Sequence, residues 1–498
     1  MSTISLTPQA AAEDTVAHPP RAASIGFAVV IAAALMDLLD STIAQTAAPA
    51  IRHDLGGSFA TLEWISAGYT LAMSVLLLVG SRLGDIVGRR RALLAGIAGF
   101  AAASALCAAA PTPPTLIAAR VLQGACAALM VPQTFGLIRE LFGAEGQQKA
   151  LGIVGPIMGL GAVLGPLAGG GLIDLDVLGA GWRAIFLINL PVAAAAIALG
   201  LRFLPRDVPA APGARPDAIS VLLSMAGGVG VVYPLIEGRQ QGWPAWCLAL
   251  LGVGVVCFAV FAVRQRSRAR AGRAPLVEPA ILGRRAYVAG LGTVLCFIGA
   301  MGGMMIALNV MLQTGLGDSP LACGIATLPI PLAAVGGSIT SSALLARIGR
   351  TTMHIGTLVM AAGLAAAVVV LHGAGGALSA WDLAAPLALA GFGMGMVFVP
   401  MFDVILASVE PTEIGSASGL LESVQQLGMS VGIAAVGTVL FDRLGGRTAP
   451  AAFIDAAAHG LLVAIGLLIA AAVTVCLLPH HARGRVGVSD QPNRSKQP

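Results

Sequence analysis

Charge is scarce in this chain. Asp, Glu, Lys and Arg make up 11% of its 498 residues, against 57% hydrophobic, which excludes a set of soluble domains, where charged residues run at about 25%. Lysine is nearly missing: Lys149 and Lys496 are the two present, and neither sits in a G-x4-G-K-[ST] phosphate loop, so ATP is not the expected fuel. The seven cysteines (Cys107, Cys126, Cys247, Cys257, Cys296, Cys323, Cys476) lie in apolar stretches without metal-type spacing. They read as small packing residues, with neither a disulfide nor a metal site implied. The histidines fall in tails, loops and helix ends. Polar residues within the apolar stretches are scattered rather than grouped at catalytic spacings, so neither an enzyme nor a cofactor is expected. The first 24 residues lack the short apolar core and small-residue cleavage site of a secretory signal.

Apolar runs dominate instead. Fourteen stretches approach the roughly 20 residues that cross a hydrocarbon core as a helix; they begin near Ile25, Leu62, Leu93, Pro114, Ala150, Ala184, Ala218, Ala245, Ala286, Leu321, Thr352, Leu383, Gly415 and Ala457. They show no period-two alternation, which excludes a barrel, and the expected class is an all-α membrane protein. With the amino terminus inside, all but six of the 29 basic residues lie in cytoplasmic segments. The six are Arg52, Arg183, Arg239, Arg443 and Arg447 outside and Arg120 within a span. Basic residues stay cytoplasmic in short loops, so both termini are expected in the cytoplasm and the protein in the cytoplasmic (inner) membrane. The formal charge of +5 follows from that bias and from anionic lipid, and needs no nucleic acid.

The sequence repeats itself faintly. Gly152, Gly161 and Gly165 recur with the same spacing as Gly419, Gly428 and Gly432; Pro132 matches Pro400, and Gly88-Arg89 matches Gly349-Arg350. The shared register predicts two six-helix halves with two helices inserted between them. The expected organisation is a cytoplasmic tail 1–24, a bundle 25–204, a linker 205–217, inserted helices 218–263, a basic cytoplasmic loop 264–285, a second bundle 286–479 and a cytoplasmic tail 480–498. Halves related in this way place a substrate site between them near the midplane and work by rocking. They differ chemically, since Asp85 has Ala346 as its counterpart and Pro166 has Ile433.

One span carries Gly152, Gly161, Gly165, Pro166, Gly169 and Gly170, spaced G-x8-G-x3-G-P-x2-G-G. Small residues let helices approach closely, and a proline in a spanning helix is tolerated where neighbours satisfy the freed backbone, so this stretch reads as a hinge. Elsewhere stand Leu39-Asp40-Ser41-Thr42-Ile43 with Ala48-Pro49, then Trp64 with Tyr69-Thr70-Leu71, and the run Gly80-Ser81-Arg82-Leu83-Gly84-Asp85-Ile86-Val87-Gly88-Arg89-Arg90-Arg91. Arg120, Gln123 and Gly124 follow, and then Trp182-Arg183-Ala184-Ile185-Phe186-Leu187-Ile188-Asn189-Leu190-Pro191. In this order the motifs resemble the major facilitator superfamily and, within it, the fourteen-helix drug:proton antiporter branch. Two positions depart from the pattern: Ile86 replaces a common arginine and Ala184 a second tryptophan. The resemblance implies a 6+2+6 helical fold and proton-driven export of lipophilic, often cationic, drugs or antibiotics, by a chain acting as a monomer. A dedicated exporter of one endogenous metabolite is the close alternative, and a non-transporting sensor or scaffold the distant one.

Residue chemistry supplies roles. Arg120 lies about 9 Å into its helix, where a central arginine costs on the order of 3 kcal/mol and demands a partner. Asp37 and Asp40 share a face of the first span, three residues apart. Asp40 is the expected proton-coupling acid with Arg120 tuning it, and Asp37 the second candidate; a structural ion pair without a protonation cycle is the alternative. Gly80, Gly84, Asp85, Gly88, Arg89 and Arg90 form an expected cytoplasmic gate, the arginines pairing with Glu140, Glu410 or Glu413. Glu422 is placed to receive a cationic substrate, and Gln123, Trp64, Tyr69 and Asn189 are the other expected cavity residues.

Overall fold

A computed structural model describes residues 20–176, 179–207, 217–238, 241–273, 275–373, 378–406, 408–410 and 414–478. Most of the amino-terminal tail and of the 205–217 linker, the whole 480–498 tail, Arg239 and Glu413 fall outside them. The described residues hold no strand. The first half comprises α1 (Pro20–Leu55), α2 (Phe59–Val87), α3 (Arg89–Ala108), α4 (Pro113–Met130), α5 (Gln133–Asp174) and a sixth crossing made of α6 (Ala184–Leu187) and α7 (Asn189–Phe203). Then come α8 (Ala218–Glu237), α9 (Ala245–Arg270) and the short α10 (Pro279–Leu282). The second half comprises α11 (Arg285–Asn309), which runs into a π-turn over Val310–Gly315, then α12 (Pro320–Thr327) with α13 (Pro329–Ile348) as one crossing, α14 (Thr351–Gly373), α15 (Ala384–Leu406), α16 (Ile414–Leu444) and α17 (Pro450–Val475). Among the described residues twelve helices are long and apolar enough to span a bilayer, against the fourteen expected; α4, which carries Arg120 and Gln123, and α5 are not among the twelve.

Local chemistry sets the boundaries. Pro113, Pro320, Pro329 and Pro450 each open a helix at a position whose N–H has no intrahelical partner. Gly88 (φ +100°) and Gly349 (φ +56°) make the tight turns after α2 and α13, a backbone region that glycine enters without penalty. These two glycines are a pair in the sequence repeat, so the repeat is structural. The fifth crossing starts differently from expectation. Gly143 (φ +68°) breaks α5. Residues before it continue the descent of α4, with Gln133 at Gly80 and Phe142 at Phe27. Residues after it climb beside α1, with Gly161 at Leu35 and Gly169 at Ile43.

Within the first half α2 packs on α4, α1 on α5 and α3 on α4; within the second, α11 packs on α16 and α17, and α15 on α13 and α14. The halves meet where α2 lies on α16 and α5 on α12. Contacts between them run from the end remote from both termini to mid-span at Thr70–Ser430 and on to Leu78 beside Gly419. Phe59 stacks on Phe441 at 4.5 Å, Glu63 packs against Gly437, Ser319 Oγ donates to Asp174 Oδ2 at 2.6 Å, and Gln313 Nε2, on the π-turn, donates to the Thr46 carbonyl at 2.6 Å. The inserted pair lies along the α2–α16 seam, α8 touching both helices. Its base is fastened by Asp217, which accepts from Arg264 Nε and Nη2 at 2.8 Å. Arg264 and Ser220 hold that carboxyl well below the usual carboxylate range.

Candidate functional site

The fully buried guanidinium of Arg120 is the centre of a hydrogen-bonded cluster drawn from five helices, α1, α2, α3, α4 and α7. Its Nη1 donates to Asp40 Oδ2 on α1 and, at 2.7 Å, to Gln123 Oε1 one turn further along α4. Its Nε donates to the Ile65 carbonyl of α2 at 3.0 Å. Gln123 Nε2 donates to Asp40 Oδ1 at 2.7 Å and to Ser104 Oγ on α3 at 2.9 Å. Asn189 Nδ2, at the start of α7, donates to Asp40 Oδ1 at 2.9 Å. Arg120 and Asp40 are each about 1% exposed at the side chain, so the pair is out of water and its stability rests on these additional bonds, since desolvation offsets much of a buried ion pair's attraction. The guanidinium also lies over the Tyr69 ring at 4.3 Å and the Phe186 ring at 5.8 Å, an arrangement favourable to a cation.

Asp37 points elsewhere. It is half-buried, accepts the Tyr69 hydroxyl, and lies within electrostatic reach of Glu422, a half-buried acid on α16 of the opposite half. The structure thus joins Asp40, Arg120, Gln123 and Asn189 in one cluster and links Tyr69 both to that cluster and to Asp37. Ser104 is a member that sequence reasoning missed, as is a bond between halves, Thr70 Oγ1 to Ser430 Oγ at 2.5 Å. A serine in an apolar helix carries no spacing that marks it.

Trp64 does not join them. Its indole Nε1 donates to Glu237 Oε1 on α8 at 2.8 Å, and its ring lies 5.8 Å from that of Tyr233, so it faces the inserted pair instead of the space between the halves. Trp64→Phe is therefore expected to cost about 1 kcal/mol in thermal stability, the net worth of one hydrogen bond, and to leave ethidium affinity unchanged. A large loss of affinity in fluorescence titration would return Trp64 to the cavity.

The Gly80–Arg91 run lies where α2 turns into α3. Gly80 backs onto the Ala128 carbonyl of α4, and the side chain of Gln133 fills the space at Gly84; Gln133 Nε2 donates to the Gly80 carbonyl at 2.9 Å. Arg89 lies 3.6 Å from Asp85 and 3.1 Å from Glu140, and Arg90 Nη2 donates to the Leu201 carbonyl. Glu410, another expected partner of this loop, pairs with Arg284 at 3.0 Å. Asp207, not singled out in the sequence, packs at Gly88 and accepts the backbone N–H of Arg90 at 2.9 Å, closing the amino end of α3 with a negative charge where the helix dipole favours one.

The glycines expected to form a hinge face two neighbours. Gly161 lies against Leu35 and Leu38, Gly165 against Thr42 and Gly169 against Ile43, all on α1, whereas Gly170 meets the backbone at Pro320 and Leu321 of α12. Gly324 of α12 approaches the Pro166 carbonyl. Gly152 lies within α5; its surroundings fall outside the description. The repeat counterparts Gly428 and Gly432 meet Leu295 and Gly299 of α11. Close backbone approach is what such small-residue seams permit.

The sequence profile of the Major Facilitator Superfamily matches residues 30–433. A probable actinorhodin transporter of Streptomyces coelicolor is 43% identical over 441 residues, 87% of this chain and 76% of that protein. The tetracenomycin C resistance and export protein of Streptomyces glaucescens is 34% identical, covering 86% and 79%. The multidrug efflux pump LfrA of Mycolicibacterium smegmatis is 32% identical, covering 84% and 81%. Among solved structures, a POT family peptide transporter superposes with a TM-score of 0.64 at 17% identity, covering 92% of this chain and 98% of that one, which speaks to fold. The buried arginine cluster, the glycine seams and these matches converge: the chain belongs to the Major Facilitator Superfamily and is a multi-pass membrane transporter, not an enzyme.

Proposed function

We propose that this transporter exports lipophilic, often cationic, drugs or antibiotics across the bacterial cytoplasmic membrane in exchange for protons, by alternating access. The observation that carries the reading is the Asp40–Arg120 cluster beside the half-buried Asp37: ionisable groups inside a membrane are costly and are characteristic of proton relays. One pH unit supplies about 1.4 kcal/mol per proton and 100 mV about 2.3 kcal/mol per charge, enough to drive appreciable accumulation without ATP or a cofactor. With both termini in the cytoplasm, the contacts between halves at the remote end lie on the outer side of the membrane. Asp85 and Arg89, bonded within their own half, belong to the cytoplasmic gate, and Pro166 and Gly170, where α5 meets α12, lie on the surface on which the halves rock. The substrate lies between Glu422 and the Asp37–Tyr69 face, and a single chain suffices.

A dedicated exporter of one antibiotic is the second reading. It is favoured by the relatives named for actinorhodin transport and tetracenomycin C export, as against the multidrug pump LfrA.

Everted vesicles holding the full chain should accumulate ethidium when an inside-acid ΔpH is imposed and stop when it is dissipated. Uptake that continues at an unchanged rate with ΔpH and voltage both collapsed overturns proton coupling.

A further inference from the structure

The two acids of α1 occupy opposite hydrogen-bonding situations. Both oxygens of Asp40 are occupied by cationic or amide donors: Arg120 on Oδ2, Gln123 and Asn189 on Oδ1. Each of these groups donates to a carboxylate, and protonation of Asp40 would place an O–H against one of them while leaving Arg120 buried without its counter-charge. That is the costly half of breaking a buried pair. Among the described residues Asp37 has one donor, the neutral Tyr69 hydroxyl, which rotates and accepts as readily as it donates. Asp37 is half-buried where Asp40 is buried.

The geometry points to Asp37 as the acid that carries the exchangeable proton, with Asp40 kept as the permanent counter-ion of Arg120. This rests on the proton-coupled reading above and assigns the parts within it. The ionisable groups around Asp37 among the described residues are Asp40 on its own helix, Tyr69 on α2, Arg120 on α4 and Glu422 on α16. Water delivers the proton to the Asp37 carboxylate, giving a neutral acid, and takes it back on the other side. While both are ionised, Asp37 and Glu422 repel across the line between the halves, and a proton on Asp37 removes that repulsion. Tyr69 passes the event inward, because its hydroxyl is held by Asp37 while its ring lies on Arg120.

The test is a pH titration of the purified full chain by infrared difference spectroscopy, reading the C=O stretch of protonated carboxyl groups. Asp37→Asn is expected to lose one titrating band that wild type shows, and Asp37→Glu to restore it. Asp40→Asn is expected to keep that band, displaced in pH, while losing thermal stability. A band that survives in Asp37→Asn, or that vanishes in Asp40→Asn while the protein remains folded by circular dichroism, overturns the assignment. Should Asp40→Asn not fold, the Asp37→Asn and Asp37→Glu spectra decide alone. Ethidium uptake by wild type that ignores ΔpH would instead sink proton coupling, whatever the spectra show.

Discussion

Arg120→Leu is expected to lower stability by about 3–5 kcal/mol, the usual cost of removing one member of a buried ion pair, and to bring ethidium transport to the level of empty vesicles. The size follows from what is left behind. Asp40 loses its one charged donor but keeps its burial, and the Ile65 carbonyl and Gln123 Oε1 each lose a bond. The rings of Tyr69 and Phe186 lose the cation they face. The double variant Arg120→Leu/Asp40→Asn should recover a large part of the stability, because the uncompensated charge goes with the arginine, and should recover none of the transport. Thermal unfolding in detergent, followed by tryptophan fluorescence, measures the first statement and vesicle uptake the second. A single variant that melts with wild type would mean that the pair contributes nothing to the fold.

Gly124→Val is expected to be the most damaging small-to-large change in the amino-terminal half. A Cβ at Gly124 meets the Tyr69 carbonyl oxygen well inside van der Waals distance, and the obstacle is backbone that cannot rotate away. α2 and α4 must part, which lifts Tyr69 off both Arg120 and Asp37. Overpacking of this kind costs about 1–3 kcal/mol, yet transport should fall much further, because the aromatic link between the two acids is broken. Gly466→Val is the control: nothing lies within 4 Å of the added atom, and full activity is expected. Equal transport by the two variants would show that the α2–α4 spacing does not matter to the site.

Both predictions concern residues legible in the sequence for a physical reason. An arginine in an apolar helix must be paired, and the acids of the first span were the available class, so Asp40 and Arg120 could be joined without a structure. The glycine repeat was legible as well, because Gly161 and Gly165 on α5 and Gly428 and Gly432 on α16 solve the same problem of close approach to the opening helix of their half. Ser104, Ser430 and Asp207 were not legible. A hydroxyl can satisfy itself on its own helix, as Thr46 does on Thr42, so its presence signals no distant partner, and Asp207 lies in a loop, where the sequence gives a charge no reason to have one. Trp64 misled because a motif fixes a position on a helix without fixing the neighbour across from it. The turn at Gly143 was not legible because it sits in a run that stays helical on both sides.

The position of α8 has a consequence for the cycle. It is tied to one half through Trp64 and Glu237 and to the other through Thr438 Oγ1, which donates to the Leu235 carbonyl at 2.7 Å. If the outer ends separate, this helix can follow one partner only, and acyl chains must flow into the slit vacated beside the other. The work of opening then includes displacing lipid, so turnover will vary with the thickness and fluidity of the surrounding bilayer even when cargo and gradient are held constant.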